Sequence, residues 1–191
     1  MEDYSKLFAD EDFIVEHIFQ SPENRKLIKT FSVSNGADGV ELYLKEVAEI
    51  EETEKQARTY LIKDRYSGEL ACYFSLRTGL VTLQVSGEEF DSLSAIELSN
   101  FAMNQNYKAS HSDVNKGGSY FFKHFILPLV RFVSDFIGVS TLYIYALPVQ
   151  KLMEHYKKMG FTRLPAEQEK FVQSHVKPKY DENCIFMYQK L

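Results

Sequence analysis

The 191-residue sequence has no tryptophan, two cysteines and no excess of positive charge. Cys72 and Cys184 each lie inside an apolar, strand-like run, with no CxxC pair and no Cys/His spacing. Nothing in that spacing suggests zinc, and two buried free thiols in a reducing compartment are expected. The formal net charge is −5 with a pI of about 5.6, which argues against a broad nucleic-acid-binding surface. A local basic patch stays open, and a cationic small molecule suits the overall field. No apolar run reaches the ~18–20 residues of a membrane span, because Phe121 to Gly138 is interrupted by Lys123, His124, Pro128, Arg131 and Asp135. The opening MEDYSKLFADEDF is acidic and lacks the basic and apolar regions of a signal peptide, so a cytoplasmic location without membrane contact is expected. There is no GxGxxG and no P-loop spacing. Repeats, low-complexity tracts and linkers are also missing, so one domain over residues 1–191 is the expectation.

What the chain does have is aromatic bulk. Fifteen Phe and 12 Tyr, within 45% hydrophobic residues, favour a thick mixed core. Residues 11–31 read as one or two helices broken at Ser21-Pro22, and Phe31 to Val33 as a short strand. Val40 to about Gln56 reads as a helix with a solvated glutamate run. Arg58 to Lys63 and Leu70 to Leu76 form the clearest hairpin, turning at Ser67-Gly68 and ending at Thr78-Gly79. Leu80 to Val85 is a candidate further strand.

The second half is organised around two strand–helix units. Strand Ile96 to Met103 places Glu97, Ser99, Phe101 and Met103 on one face. A charge inside such a strand costs energy unless it is paired, exposed or used. The polar stretch NQNYKASHSDVNKGG leads into an apolar helix, SYFFKHFILPLVRFVSDFIG, which Pro128 should kink. Lys116-Gly117-Gly118-Ser119, at that helix start, is the kind of turn that brings backbone N–H groups against a phosphate. Strand Thr141 to Ala146 follows, then Pro148 and a helix from Val149 to Met159. Its apolar face carries Val149, Leu152, Met153, Tyr156 and Met159, Gly160 caps it, and Phe161 rejoins the core. Pro165 to Lys177 is helical or irregular, and Cys184 to Tyr188 is a last strand. Together these make a mixed α/β chain with one sheet.

From Ile96 to Phe161 the layout resembles the GNAT superfamily of acetyl-CoA-dependent N-acetyltransferases. Phe101-Ala102-Met103 matches the triplet that ends the family's cofactor strand. Lys108 stands at the start of the phosphate-loop motif and Gly118 at its final small residue, while Tyr156-Lys157-Lys158-Met159-Gly160-Phe161 matches the family's Tyr-x-x-x-Gly-Phe. Two departures stand out: Ala109 to Asn115 lengthens the loop, and Val149 replaces a helix-opening Asn. The resemblance implies an α+β fold with a single mixed, mainly antiparallel central sheet flanked by helices on both faces, and a cofactor half at about 94–161. It implies acetyl-CoA as cosubstrate and no metal. It further implies that Phe101, Ala102 and Met103 run beside the pantetheine, and that Lys108, Lys116, Gly117, Gly118 and Ser119 serve the pyrophosphate. Tyr156 would be the acid that protonates the coenzyme A thiolate, and Glu97 the base for the attacking ammonium. Homodimers are common in such families.

Each role has a plainer counterpart. Tyr156 on an apolar helix face is also what a buried structural tyrosine looks like, and Glu97 also reads as a paired or rim carboxylate. His155, His111 and His124 read as surface or satisfied histidines. Lys157, Lys158 and Arg163 read as a solvated helix end that could meet an anionic acceptor. Three functions follow. The first is acetyl transfer to the primary amine of a small molecule or peptide. The second rests on the N-terminal half, with Phe31-Ser32 to Asn35-Gly36, LYLKEVA and RTYLIKD, which is similar to the GNAT toxins of toxin–antitoxin pairs that acetylate the amino group on charged tRNA. The net acidity weighs against that second reading, and tRNA is the one nucleic acid it would admit. The third is a non-catalytic module that binds coenzyme A.

Overall fold

The computed structural model describes residues 7–34, 36–87, 89–112, 117–175 and 183–191. Its strands lie in one sheet in the order β1-β2-β3-β4-β5-β7-β6. They are β1 Phe13–His17, β2 Arg58–Asp64, β3 Leu70–Ser86, β4 Glu89–Met103, β5 Thr141–Ala146, β6 Thr162–Arg163 and β7 Ile185–Lys190. The β4–β5 pair is parallel, and the β1–β2, β2–β3, β5–β7 and β6–β7 pairs are antiparallel. The chain packs as two compact units, Met1–Arg77 with Asn100–Leu129, and Thr78–Ser99 with Val130–Leu191.

In the first unit, β1 replaces the expected helix. Phe13-Ile14-Val15 is β-rich and alternates, burying Phe13 and Val15. Helix α1 is confined to Asn24–Thr30. Phe31 to Val33 forms no strand, because its backbone is met by other groups. Ser32 N–H donates to Asn104 Oδ1 (3.3 Å), Ser32 C=O accepts from Gln105 N–H (2.7 Å), and Val33 N–H donates to Glu41 (3.0 Å). Helix α2 follows as Asp38–Leu42, a π turn over Tyr43–Val47, and Ala48–Thr53. Ile18, Ile28, Phe31, Leu44, Leu61 and Tyr73 form the core. The polar stretch after β4 contains a short helix, α3, Gln105–Ser110, whose N-cap Asn104 is buried. Helix α4 begins at Gly118–Phe121, passes through a π turn over Phe122–Ile126 and continues as Leu127–Ser134. The π turn, in which Leu127 N–H reaches back to Phe122, falls just before Pro128, the expected site of irregularity.

In the second unit, β3 does not stop at Gly79 but runs on to Ser86, so Leu80 to Val85 is its continuation and not a separate strand. Tyr143 explains the glycine: a Cβ at position 79 would lie 2.2 Å from the Tyr143 hydroxyl. The β4–β5 register pairs Ala95 with Thr141, Ile96 with Leu142 and Glu97 with Tyr143. Helix α5, Gln150–Lys158, opens on Val149, which is 52% exposed and not on the buried face expected of it. Gly160, at φ +97°, ends the helix, and Phe161 is buried. Helix α6, Ala166–His175, buries Val172 with Val81, Ala95, Tyr143 and Phe186.

Candidate functional site

The two proposed proton carriers, Glu97 and Tyr156, both fall in the second unit. Glu97 is only 6% exposed at the centre of β4, opposite Tyr143 in register. The Tyr143 hydroxyl donates to Glu97 Oε2 at 3.2 Å. Tyr143 can lie there because Gly79 offers no side chain beneath it. Tyr145, two residues on and on the same face as Tyr143, sits edge-on to it at 6.0 Å. Burial, and then the Glu97 charge, push the Tyr145 phenol far above its usual range. Its Oη is buried and has no hydrogen-bond partner among the described residues. Glu97 is thus a buried carboxylate that accepts from the Tyr143 phenol.

Tyr156 is 9% exposed on α5 and packs edge-on to Phe161 at 5.7 Å, which ties the tyrosine to the Gly-Phe that follows the helix. Burial pushes its phenol up to about 12, so the proton stays on the ring throughout the physiological range. His155 is half-buried rather than on the surface; burial, then Lys158, lower its pKa. Lys151, Lys157 and Lys158 are exposed along the same helix.

The residues expected to hold the cofactor fall in the first unit. Phe101, Ala102 and Met103 are half-buried at the end of β4. Asn104 anchors that end: its side chain donates to Leu70 C=O at 2.7 Å and accepts from Asn106 N–H at 3.2 Å. Lys108 is exposed on α3. Gly117 is the extended N-cap of α4, with open space where a Cβ would stand, and Gly118 and Ser119 begin the helix. Both stand in the first turn of the helix. Lys116 lies outside the described residues. No group of three or more His, Cys, Asp and Glu among the described residues is arranged to hold a metal ion.

Sequence reasoning missed Tyr143, Tyr145 and Gly79. The alternation of Tyr143 and Tyr145 was visible in TLYIYA, but only the register brings Tyr143 to Glu97.

No family model and no curated protein matches this sequence. Solved structures do. A tyrosine-to-phenylalanine mutant of KacT is 16% identical with a TM-score of 0.66, covering 94% of this chain and 95% of that one. A tyrosine-to-phenylalanine mutant of the AtaT toxin, bound to the C-terminus of the antitoxin AtaR and to acetyl-CoA, is 16% identical with a TM-score of 0.63, covering 94% of each chain. AtaT complexed with acetyl-methionyl-tRNAfMet is 17% identical with a TM-score of 0.63, covering 92% of this chain and 94% of that one. The likeness is one of fold: this chain has a GNAT-like fold of the kind these proteins have, along nearly its whole length.

Proposed function

We propose that the protein is an acetyl-CoA-dependent N-acetyltransferase of the toxin type, whose acceptor is the amino group carried by an aminoacyl-tRNA. The observation that carries this reading is the fold match over more than nine-tenths of both chains to AtaT, a toxin solved with acetyl-CoA and with acetyl-methionyl-tRNAfMet. The matches to the GNAT sequence pattern, Phe101-Ala102-Met103, Gly118 and Tyr156 to Phe161, lie where that reading needs them along the chain.

In this reading the amine nitrogen attacks the thioester carbonyl carbon directly, a C–N bond forms and the C–S bond breaks. Glu97 takes the ammonium proton, directly or through water, and Tyr156 gives its phenolic proton to the departing thiolate. Backbone groups of Phe101 and Met103 hold the pantetheine, and Lys108 with the N–H groups of Gly117 to Ser119 holds the diphosphate. Lys151, Lys157 and Lys158 are the exposed cations that would meet tRNA phosphates despite the net charge of −5. That acidic balance is also the observation that favours a second reading, a small cationic amine as acceptor.

Two measurements test the proposal. Calorimetric titration should show binding of acetyl-CoA and of CoA; absence of both refutes any acetyltransferase. Expression should arrest growth and be relieved by the product of a neighbouring gene; harmless expression of active enzyme would instead favour the small-amine acceptor.

A further inference from the structure

Two turns stand side by side at one end of the β1–β2 pair, where Phe13 and Asp64 are register partners. Each turn is built on an aspartate. Asp10 Oδ1 accepts the N–H groups of Asp12 (2.8 Å) and Phe13 (2.7 Å) at the entry to β1. Asp64 Oδ1 accepts those of Tyr66 (2.8 Å) and Ser67 (2.9 Å) at the exit from β2. Arg65 ties the turns together, its N–H donating to Asp12 C=O at 2.8 Å and its guanidinium to Asp10 C=O at 2.7 Å.

The second oxygen of each aspartate takes a tyrosine. Tyr107, on α3, donates its hydroxyl to Asp64 Oδ2 at 2.6 Å, and Tyr120, on α4, donates to Asp10 Oδ2. Both rings flank Phe13, at 6.4 and 6.2 Å. Both are backed by a histidine one helical turn on, His111 on Tyr107 and His124 on Tyr120, each stacked at 4.2 Å. The device is therefore duplicated: an aspartate caps a turn, holds a tyrosine, and the tyrosine carries a histidine on its face.

The sequence neighbours of these tyrosines matter. Tyr107 directly precedes Lys108, and Tyr120 directly follows Ser119. Packing against Phe13 needs only an aromatic ring. A hydroxyl bonded to a carboxylate adds direction, because a charge-assisted hydrogen bond fixes where along the turn each ring sits. Resting on the acetyl-CoA reading above, we propose that the Tyr107–Asp64 and Tyr120–Asp10 pairs are a two-point clamp. These four positioning residues hold Lys108 and the Gly117 to Ser119 start of α4 in the arrangement that grips the diphosphate of the acetyl donor.

The test is the double variant Tyr107→Phe/Tyr120→Phe, which keeps both rings and removes only the hydroxyls. Binding of CoA is measured by calorimetry and binding of pantetheine, which lacks the nucleotide diphosphate, by NMR titration. The clamp predicts that CoA binds about tenfold more weakly while pantetheine affinity stays within about twofold. Equal weakening of both ligands would show a general scaffold role and overturn the proposal, as would unchanged CoA affinity. If the double variant fails to fold, the single Tyr120→Phe variant is measured in the same way and judged by the same ratio. Failure of the wild type to bind CoA is a separate result, seen without any variant, and removes the acetyl-CoA reading itself.

Discussion

Tyr156 carries a phenol that burial pushes up to about 12, in a chain where the buried Tyr43 and Tyr143 each donate to a carboxylate. If it gives its proton to the leaving thiolate, Tyr156→Phe lowers kcat at least about tenfold and leaves acetyl-CoA affinity near wild type, a split read from steady-state kinetics with calorimetry. Its pKa also has a consequence for stability. Below the ordinary tyrosine value of about 10 both folded and unfolded states keep the proton and the contribution of burial is complete. Between about 10 and about 12 the unfolded state loses its proton first, so stability falls as the pH rises, by roughly 3 kcal/mol at most. Urea midpoints measured upward from pH 9 should fall more steeply for wild type than for Tyr156→Phe. Gly79 is the second residue-scale prediction. Gly79→Ala places a methyl 2.2 Å from the Tyr143 hydroxyl, and displacing that ring should cost about 1–3 kcal/mol in urea unfolding.

At the scale of elements, α2 is stapled to β3 by buried charge. Glu51 accepts from the Tyr43 hydroxyl at 3.0 Å and pairs with Arg77, whose side chain is only 12% exposed. Arg77→Leu removes the cation that this carboxylate holds across the two elements and should destabilise the fold by about 3–5 kcal/mol, measured by chemical denaturation. Elements of this kind separate what the sequence made legible from what it did not. The 58–76 hairpin, strand 141–146 and its helix were readable because period, turn residues and caps agree there. Gly160 and Phe161 behave as their positions implied. Strand β1 was misread because Ile18 and Leu27 extend an apolar spacing that mimics a helix, while the cap on Asp10 that opens the strand is a side-chain contact. Phe31 to Val33 has strand-like residues, yet Asn104 and Gln105, far along the chain, take its backbone groups. Gly79 looked like a stop because the sequence does not show that Tyr143 passes over it. For the candidate site, the local placement of Tyr156 on its helix and of Phe101 to Met103 at the end of β4 was legible. The Tyr143–Glu97 bond was not, since it depends on a parallel register across 46 residues.

At the scale of the whole molecule the question is charge. In the proposed reading a chain at −5 meets tRNA through local cations, and α5 exposes Lys151, Lys157 and Lys158. Reversing two of them in Lys157→Glu/Lys158→Glu should raise KM for charged tRNA by about tenfold at low salt, less as salt increases, with acetyl-CoA affinity unchanged. The central claim, acetyl transfer to the amine of an aminoacyl-tRNA, is tested most directly by incubating the purified protein with radiolabelled acetyl-CoA and a full set of charged tRNAs. The account predicts label on the amino group of one or more aminoacyl-tRNAs, released from the tRNA as N-acetyl-amino acid when the ester is hydrolysed and absent with uncharged tRNA. Label on small amines but on no charged tRNA, from protein that binds acetyl-CoA, would contradict it.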